Sequence, residues 1–334
     1  MQCRNGIVTI DNNEYCAYED IDDDYLYVAK RTKGSSSWTK YKFTDTYNRY
    51  ASASGIVYGN GYLAFLYKYD SSIYIYYTQN LNFTSTSDFT KKTIKSGFGE
   101  TDHIGLIIGN GYWMATARRN DSYFSYITVF YTQNIAGSWT SKNLEDATTS
   151  NHYSVSGFFK GNFYLALTGY DSGSGISARI IYGDTPDKIT LESGNYMSLT
   201  GAPTQCIPID DVLVLTFNSK IEWFQFLGGT KYTVSVSTRA PAVAKYDDFI
   251  ILYGYLNKTT TRIYTKKFNA DKTGMDSVGN LDISESSKTN PFVYADETGV
   301  WRGQTYDTSA NKSAIKLPVI TADGYYNYIL TESL

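Results

Sequence analysis

Apolar and polar positions along this chain alternate in short runs, and the runs come in pairs separated by a tight polar turn. GIVTIDNNEYCAYED from Gly6, GIVYGNGYLAFLYKYD from Gly55, GLIIGNGYWMATARRND from Gly105 and GFFKGNFYLALTGYD from Gly157 are the clearest copies. CIPIDDVLVLTFN from Cys206, AVAKYDDFIILYGYLN from Ala242 and FVYADETGVWRGQTYD from Phe292 are weaker ones. Period-two alternation predicts strands, and no stretch sustains the i, i+3, i+4, i+7 spacing of a helix. The turn centres fall at Asn12, Asn60, Asn110, Gly161, Asp210, Asp247 and Glu297. Asn-Gly at Asn60 and Asn110 is a strong hairpin signal, because both residues of such a turn accept positive φ.

A second hairpin follows within most copies, as in YLYVAKRT then WTKYKFT, or SYITVFYTQN then SWTSKNL. The whole unit recurs about every fifty residues, with one shortened interval between Asp210 and Asp247. Two hairpins per repeat make a four-stranded antiparallel sheet, too small to bury its apolar faces alone. Radial stacking of such sheets buries those faces and leaves only short edges. The pattern therefore predicts an all-β fold, a seven-bladed β-propeller of four-stranded antiparallel blades, with six or eight blades also compatible. The expected blades are 6–45, 55–97, 105–146, 156–195, 206–238, 242–284 and 291–331 of a single domain spanning 1–334.

Composition agrees with sheets: aromatics are 16% of the chain, with 33 Tyr against 6 Pro. A formal net charge of −3, spread without long blocks, excludes the basic footprint of a nucleic-acid binder. The absence of a long apolar run argues against membrane insertion and against a secretory address. Cys3, Cys16 and Cys206 read as reduced thiols, since a turn near Asn12 puts Cys16 opposite about position 8 rather than Cys3. His103 and His152 are the only histidines, and no Cys/His spacing matches a metal site.

The connections between the second and third strands of each repeat share one rim with the entries to the first strands. Second strands end at Asp20, Asp70, Asp121, Asp171, Asn218, Asn257 and Asp307. These read as Asx turns closing hairpins in preference to a ring of ligands. Glu19-Asp20-Ile21-Asp22-Asp23-Asp24 reads as a solvated loop, lacking the glycine and distal glutamate of an EF-hand. Candidate binding residues in the rim loops are Arg49, Tyr50, Tyr67, Asp102, His103, Arg118, Arg119, His152, Tyr153, Tyr170 and Tyr306, with Lys68 beside them. Tyr and Arg supply stacking surface and forked hydrogen bonding, and His103 beside Asp102 is placed to titrate near neutrality. No residue is assigned a catalytic or metal-binding role, and no cofactor is expected.

Thr132-Gln133-Asn134-Ile135-Ala136-Gly137-Ser138-Trp139 resembles the Asp-box of sialidase-like, or BNR-repeat, propellers. There a Ser/Thr, an Asp, a Gly and a closing Trp brace the turn between third and fourth strands. Thr78-Gln79-Asn80 with Phe83 is similar but shorter, and Trp38 after Gly34 is a poorer copy; Asn replaces the defining Asp. The resemblance implies a propeller. Sialidases of that family clamp a carboxylate with three arginines and use a Tyr/Glu nucleophile pair. The Arg-Ile-Pro motif carrying their first arginine is absent, Arg4 preceding Asn-Gly instead. Arg118, Arg119, Arg179, Arg239, Arg262 and Arg302 supply guanidinium groups that no motif aligns into a clamp.

A texture similar to propellers of bacteriophage tails and capsid attachments, beside the missing export segment, gives the functional expectation. It is a non-enzymatic virion protein that attaches to other virion proteins or to a host-surface glycan. The alternatives are a cellular carbohydrate-binding lectin and a sialidase-like glycoside hydrolase.

Overall fold

A computed structural model describes residues 7–20, 25–33, 35, 37–46, 52–98, 100–120, 125–144, 151–171, 175–190, 195–198, 205–209, 212–225, 230–246, 248–257, 260–284, 291–296, 299–304, 314–320 and 326–333. They fall in two compact units, Met1–Ala202 and Pro203–Leu334.

The first unit holds four antiparallel sheets. The first runs β1 (Ile7–Ile10), β2 (Asn13–Asp20), β3 (Tyr25–Thr32), β4 (Thr39–Phe43). In the second, the first strand is broken into β5 (Ser52–Ala53) and β6 (Val57–Gly59), both pairing with β7 (Tyr62–Tyr69), followed by β8 (Ser72–Thr78) and β9 (Thr90–Lys95). The third is β10 (Glu100–Gly109), β11 (Tyr112–Asn120), β12 (Ser125–Thr132), β13 (Thr140–Leu144). The fourth is β14 (Asn151–Lys160), β15 (Asn162–Asp171), β16 (Gly175–Gly183), β17 (Asn195–Ser198).

The second unit repeats the arrangement three times. Its sheets are β18 (Gln205–Ile209), β19 (Val212–Thr216), β20 (Lys220–Gln225), β21 (Tyr232–Ser235), then β22 (Arg239–Tyr246), β23 (Phe249–Asn257), β24 (Thr260–Phe268), β25 (Met275–Ser284). The last is β26 (Pro291–Asp296), β27 (Gly299–Gln304), β28 (Ala314–Ile320), β29 (Tyr326–Ser333).

The turns are where the sequence pattern put them. Gly59 pairs with Tyr62 across Asn60-Gly61, and Gly109 with Tyr112 across Asn110-Gly111. Asn60 and Gly61 have φ of 48° and 79°, Asn110 and Gly111 of 45° and 76°, as a type I′ hairpin requires. The first turn lies between Ile10 and Asn13, so Cys16 faces Ile7, one place from the expected partner.

Strand alternation explains how both faces of a sheet are buried. In β7, Leu63, Phe65 and Tyr67 join Tyr15, Leu26, Val28 and Phe43 of the first sheet. The intervening Ala64 and Leu66 instead pack with Ile104, Leu106, Trp113 and Ala115 of the third. β11 repeats the division: Met114 turns to Phe163, Leu165 and Leu167 of the fourth sheet. In the second unit, Val212, Val214 and Trp223 meet Val243, Ile250 and Leu252 in the same way. Each such side chain, fully buried, contributes about 1.5–3 kcal/mol, so the stacked faces are the main favourable term.

Polar clamps join neighbouring sheets at the hairpin-turn end. Asn60 Nδ2 donates to the Gly111 carbonyl (3.3 Å), and Asn110 Nδ2 to those of Gly161 (3.3 Å) and Asp184 (2.9 Å). Lys30 reaches the Phe83 carbonyl, Lys92 those of Ala136 and Gly137, and Lys142 that of Asp187 (2.6 Å). In the second unit, Trp223 Nε1 donates to the Lys272 carbonyl at 2.7 Å. Each donor bonds the outer turn of the next sheet, and the Asn of the inner turn thus does more than tolerate positive φ.

The segments resembling an Asp-box form one turn twice. Thr132 Oγ1 accepts from Asn134 N (3.2 Å), Asn134 Oδ1 accepts from Ala136 N (3.0 Å), and Gly137 N donates to the Asn134 carbonyl (2.8 Å). One sheet earlier, Thr78, Asn80, Asn82 and Phe83 repeat this pattern. Asn supplies the side-chain acceptor that an Asp would supply.

Candidate functional site

At the end of the sheets opposite these turns, the first strands are irregular. The ladder between β10 and β11 shifts between Thr101 and His103, leaving Asp102 as the extra residue. The ladder between β14 and β15 shifts between His152 and Ser154, leaving Tyr153 extra. In the second sheet the equivalent strand is interrupted by Ser54, Gly55 and Ile56, and Ser54 Oγ accepts from Leu66 N at 2.8 Å. A bulge re-aims side chains and ends regular pairing, and bulges are over-represented beside functional sites.

These bulges correct the expected placement of the candidates. Glu100, Thr101, Asp102 and His103 belong to β10, and His152 and Tyr153 to β14, not to loops entering those strands. Apolar alternation stops at the bulge, which is why the strands read as beginning near Gly105 and Ser156. Register puts His103 opposite Arg118 and Thr101 opposite Arg119. It puts His152 opposite Gly169 and Asn151 opposite Tyr170 on the neighbouring sheet. β14 lies against both β10 and β11, so two histidines and two arginines are carried on adjoining strand ends.

Tyr67 is core: it is buried, and its hydroxyl donates to the Thr46 carbonyl. Lys68, the next residue, is 9% exposed. Arg49, Tyr50 and Tyr306 lie outside the described residues, as do Asp121, Asp307 and Ile21 to Asp24. Of the expected Asx turns, Asp70 follows Tyr69, which pairs with Ser72, and has a φ of 52°. Among the described residues no three His, Cys, Asp or Glu side chains are grouped to hold a metal, and no helix is long and apolar enough to cross a membrane.

Two polar clusters went unread in the sequence. Glu14 and Arg31 are cross-strand partners whose side chains are both 0% exposed, with Nε to Oε2 at 2.5 Å. Arg31 also donates to the Ser35 carbonyl at 2.9 Å and stacks its guanidinium 4.5 Å from the Trp38 ring centre. In the second unit, Arg262 forks onto Asp282, with Nη2 to Oδ2 at 2.6 Å, and approaches Ser237 and Tyr264. The Asp282 carboxyl is held below its usual range chiefly by the Arg262 hydrogen bond. Burial pushes the Tyr264 phenol up, but hydrogen bonds with Ser237 and Arg262 outweigh it and leave the group lowered. Residues 262 and 264 are two apart on β24, a spacing that puts them on one face; their partners come from distant positions that no local motif connects.

No protein-family model matches the chain, and no curated protein does. Solved structures do share its fold. The chain is similar over 99% of its length to the polysaccharide lyase Uly1, with 9% identity, a TM-score of 0.63 and 90% of that chain covered. It is similar over 98% of its length to a Bacteroides fragilis NCTC 9343 protein provisionally assigned as a 6-phosphogluconolactonase, with 10% identity, a TM-score of 0.66 and 96% of that chain covered. A third likeness, to a prolyl endopeptidase, covers 98% of this chain and 49% of that one, at 10% identity and a TM-score of 0.61. The architecture shared at this identity is the propeller-like one of repeated four-stranded antiparallel sheets. The expectation of a non-enzymatic protein is corrected by these likenesses, since the proteins sharing the fold include enzymes. Neither a missing Arg-Ile-Pro motif nor a surface-like composition argues against catalysis, because activities are grafted on such folds by a few residues.

Proposed function

We propose that this chain is a carbohydrate-directed propeller that acts on a polysaccharide, with its seven sheets as the blades of one closed ring. The substrate meets the bulged ends of the third and fourth sheets. The observation that carries the reading is the pair of bulges at Asp102 and Tyr153, which interrupt regular pairing where register sets His103 opposite Arg118 and Thr101 opposite Arg119. Cleavage of a glycosidic link, by elimination or by hydrolysis, needs a proton-transferring group and a donor that stabilises developing negative charge. Histidine and arginine are the residue types for those roles. The fold likeness to a polysaccharide lyase supports the same substrate class.

Incubation with a panel of acidic and neutral polysaccharides tests it, with polymer length followed by size exclusion and unsaturated products by ultraviolet absorbance. Shortening of one polymer, lost in both His103→Ala and Arg118→Ala, is the expected result. A panel left intact, with no polymer retained on immobilised protein, overturns the reading.

A further inference from the structure

The second sheet carries a cation that the fold desolvates without neutralising. Lys68 is 9% exposed, near the end of β7, and has no hydrogen-bond or ion-pair partner among the described residues. Asp70, at the turn that follows, does not pair with it. The other buried basic residues behave differently: Arg31 is bound by Glu14, and Lys266 donates to Ser277 Oγ at 3.0 Å. Withdrawing an ammonium from water is costly unless a counter-charge replaces the lost hydration.

Its position links it to the bulged strand ends. Lys68 pairs with Ile73 as Arg118, one sheet on, pairs with Ile127, so the two cations hold the same register position in successive sheets. β10, with the bulge at Asp102, lies against both β5 and β7. Alternation places Lys68 on the β7 face of Ala64 and Leu66, which packs against the third sheet. Tyr69, at the same strand end, is one of the large exposed apolar side chains, and a ring of this kind is a stacking surface for a sugar.

We propose that Lys68 binds a carboxylate of an acidic polysaccharide at the mouth between the second and third sheets, with Arg118 continuing the cationic strip. The inference rests on the carbohydrate reading above and narrows it to polyuronates. A buried ammonium facing a ligand carboxylate forms the short, charge-assisted contact that both ions lack when apart. The protein then carries the desolvation cost in its free state, and the bound anion relieves it.

The test is calorimetric titration with a short polyuronate and with the same oligomer after its carboxyls are reduced to alcohols. Lys68→Met keeps the aliphatic stem and removes the charge, while Lys68→Arg keeps the charge. The parent is expected to bind the polyuronate and not its reduced form. Lys68→Met weakens binding about thirtyfold or more, the low end for truncating one partner of a desolvated charge pair, and Lys68→Arg restores most of it. Lys68→Met also melts at or above the parent temperature, since it removes an uncompensated charge. Equal affinity in Lys68→Met, or a lowered melting temperature revealing an internal counter-charge, overturns the inference. Binding of the reduced oligomer as tightly as the acidic one overturns it while leaving the carbohydrate reading intact; binding of neither overturns both.

Discussion

Changing Gly109 to Ala tests whether neighbouring sheets in the first unit approach as closely as described. Gly109 ends β10, and a methyl group built there meets the Phe159 ring of β14 at 2.1 Å, far inside van der Waals contact. The ring cannot simply swing aside, because it packs edge-on against Phe163 at a centroid distance of 5.0 Å. Overpacking of this kind costs about 1–3 kcal/mol. A residue on a neighbouring sheet causes the clash, so a smaller side chain there should relieve it. Gly109→Ala alone is expected to lower stability by about 2 kcal/mol. In Gly109→Ala/Phe159→Leu, the two effects should fall short of additivity by at least about 1 kcal/mol, because contacting residues couple. Urea unfolding followed by tryptophan fluorescence reports this, since Trp113 is buried in the third sheet. A shift in midpoint at constant slope isolates stability from changes in the unfolded state. Strict additivity, or a Gly109→Ala protein as stable as the parent, would refute the packing of β10 against β14.

Three more outcomes follow from the buried and paired groups. Glu14→Gln should destabilise by about 3–5 kcal/mol because it leaves Arg31 buried without its carboxylate, whereas Glu14→Leu/Arg31→Met should recover most of that loss in the same urea assay. The Cys16 thiol, pushed up to about 12 by burial, should resist a thiol reagent in native Cys3→Ser/Cys206→Ser protein and react on unfolding; fast native labelling would contradict its burial. The Arg262–Asp282 pair should stabilise the second unit fully above the ordinary carboxylate range and lose that contribution as pH falls through the lowered Asp282 value. Asp282→Asn should therefore flatten the acid limb of the stability profile and leave the alkaline limb alone, and an unchanged acid limb would argue against the pair, whose carboxylate is 44% exposed.

The hairpins were legible because their physics is local. Asn60-Gly61 and Asn110-Gly111 announce positive φ, and the apolar runs beside them show the period of a strand buried on alternating faces. The upstream halves of β10 and β14 were not legible. One bulged residue at Asp102 or Tyr153 reverses which positions face inward, so the pattern appears to stop where the strand continues. Tyr67 shows the opposite failure: a rim tyrosine and a core tyrosine look alike in sequence, and only the Thr46 carbonyl distinguishes them. Lys68 was visible as a rim cation, but its burial without a counter-charge depends on the sheet packed beside it. The virion setting drew on composition and on a missing segment and not on any residue's chemistry, and the non-enzymatic reading drew on the same kind of absence.

The most direct test of the account is a crystal structure of the protein with a short oligouronate. The account predicts the sugar at the bulged ends of the second to fourth sheets, with a carboxylate within hydrogen-bonding distance of Lys68 Nζ and the chain running past Arg118 and His103. An oligomer seated instead against the Asn60 and Asn110 turns, or Lys68 still without a partner beneath a bound sugar, would contradict it.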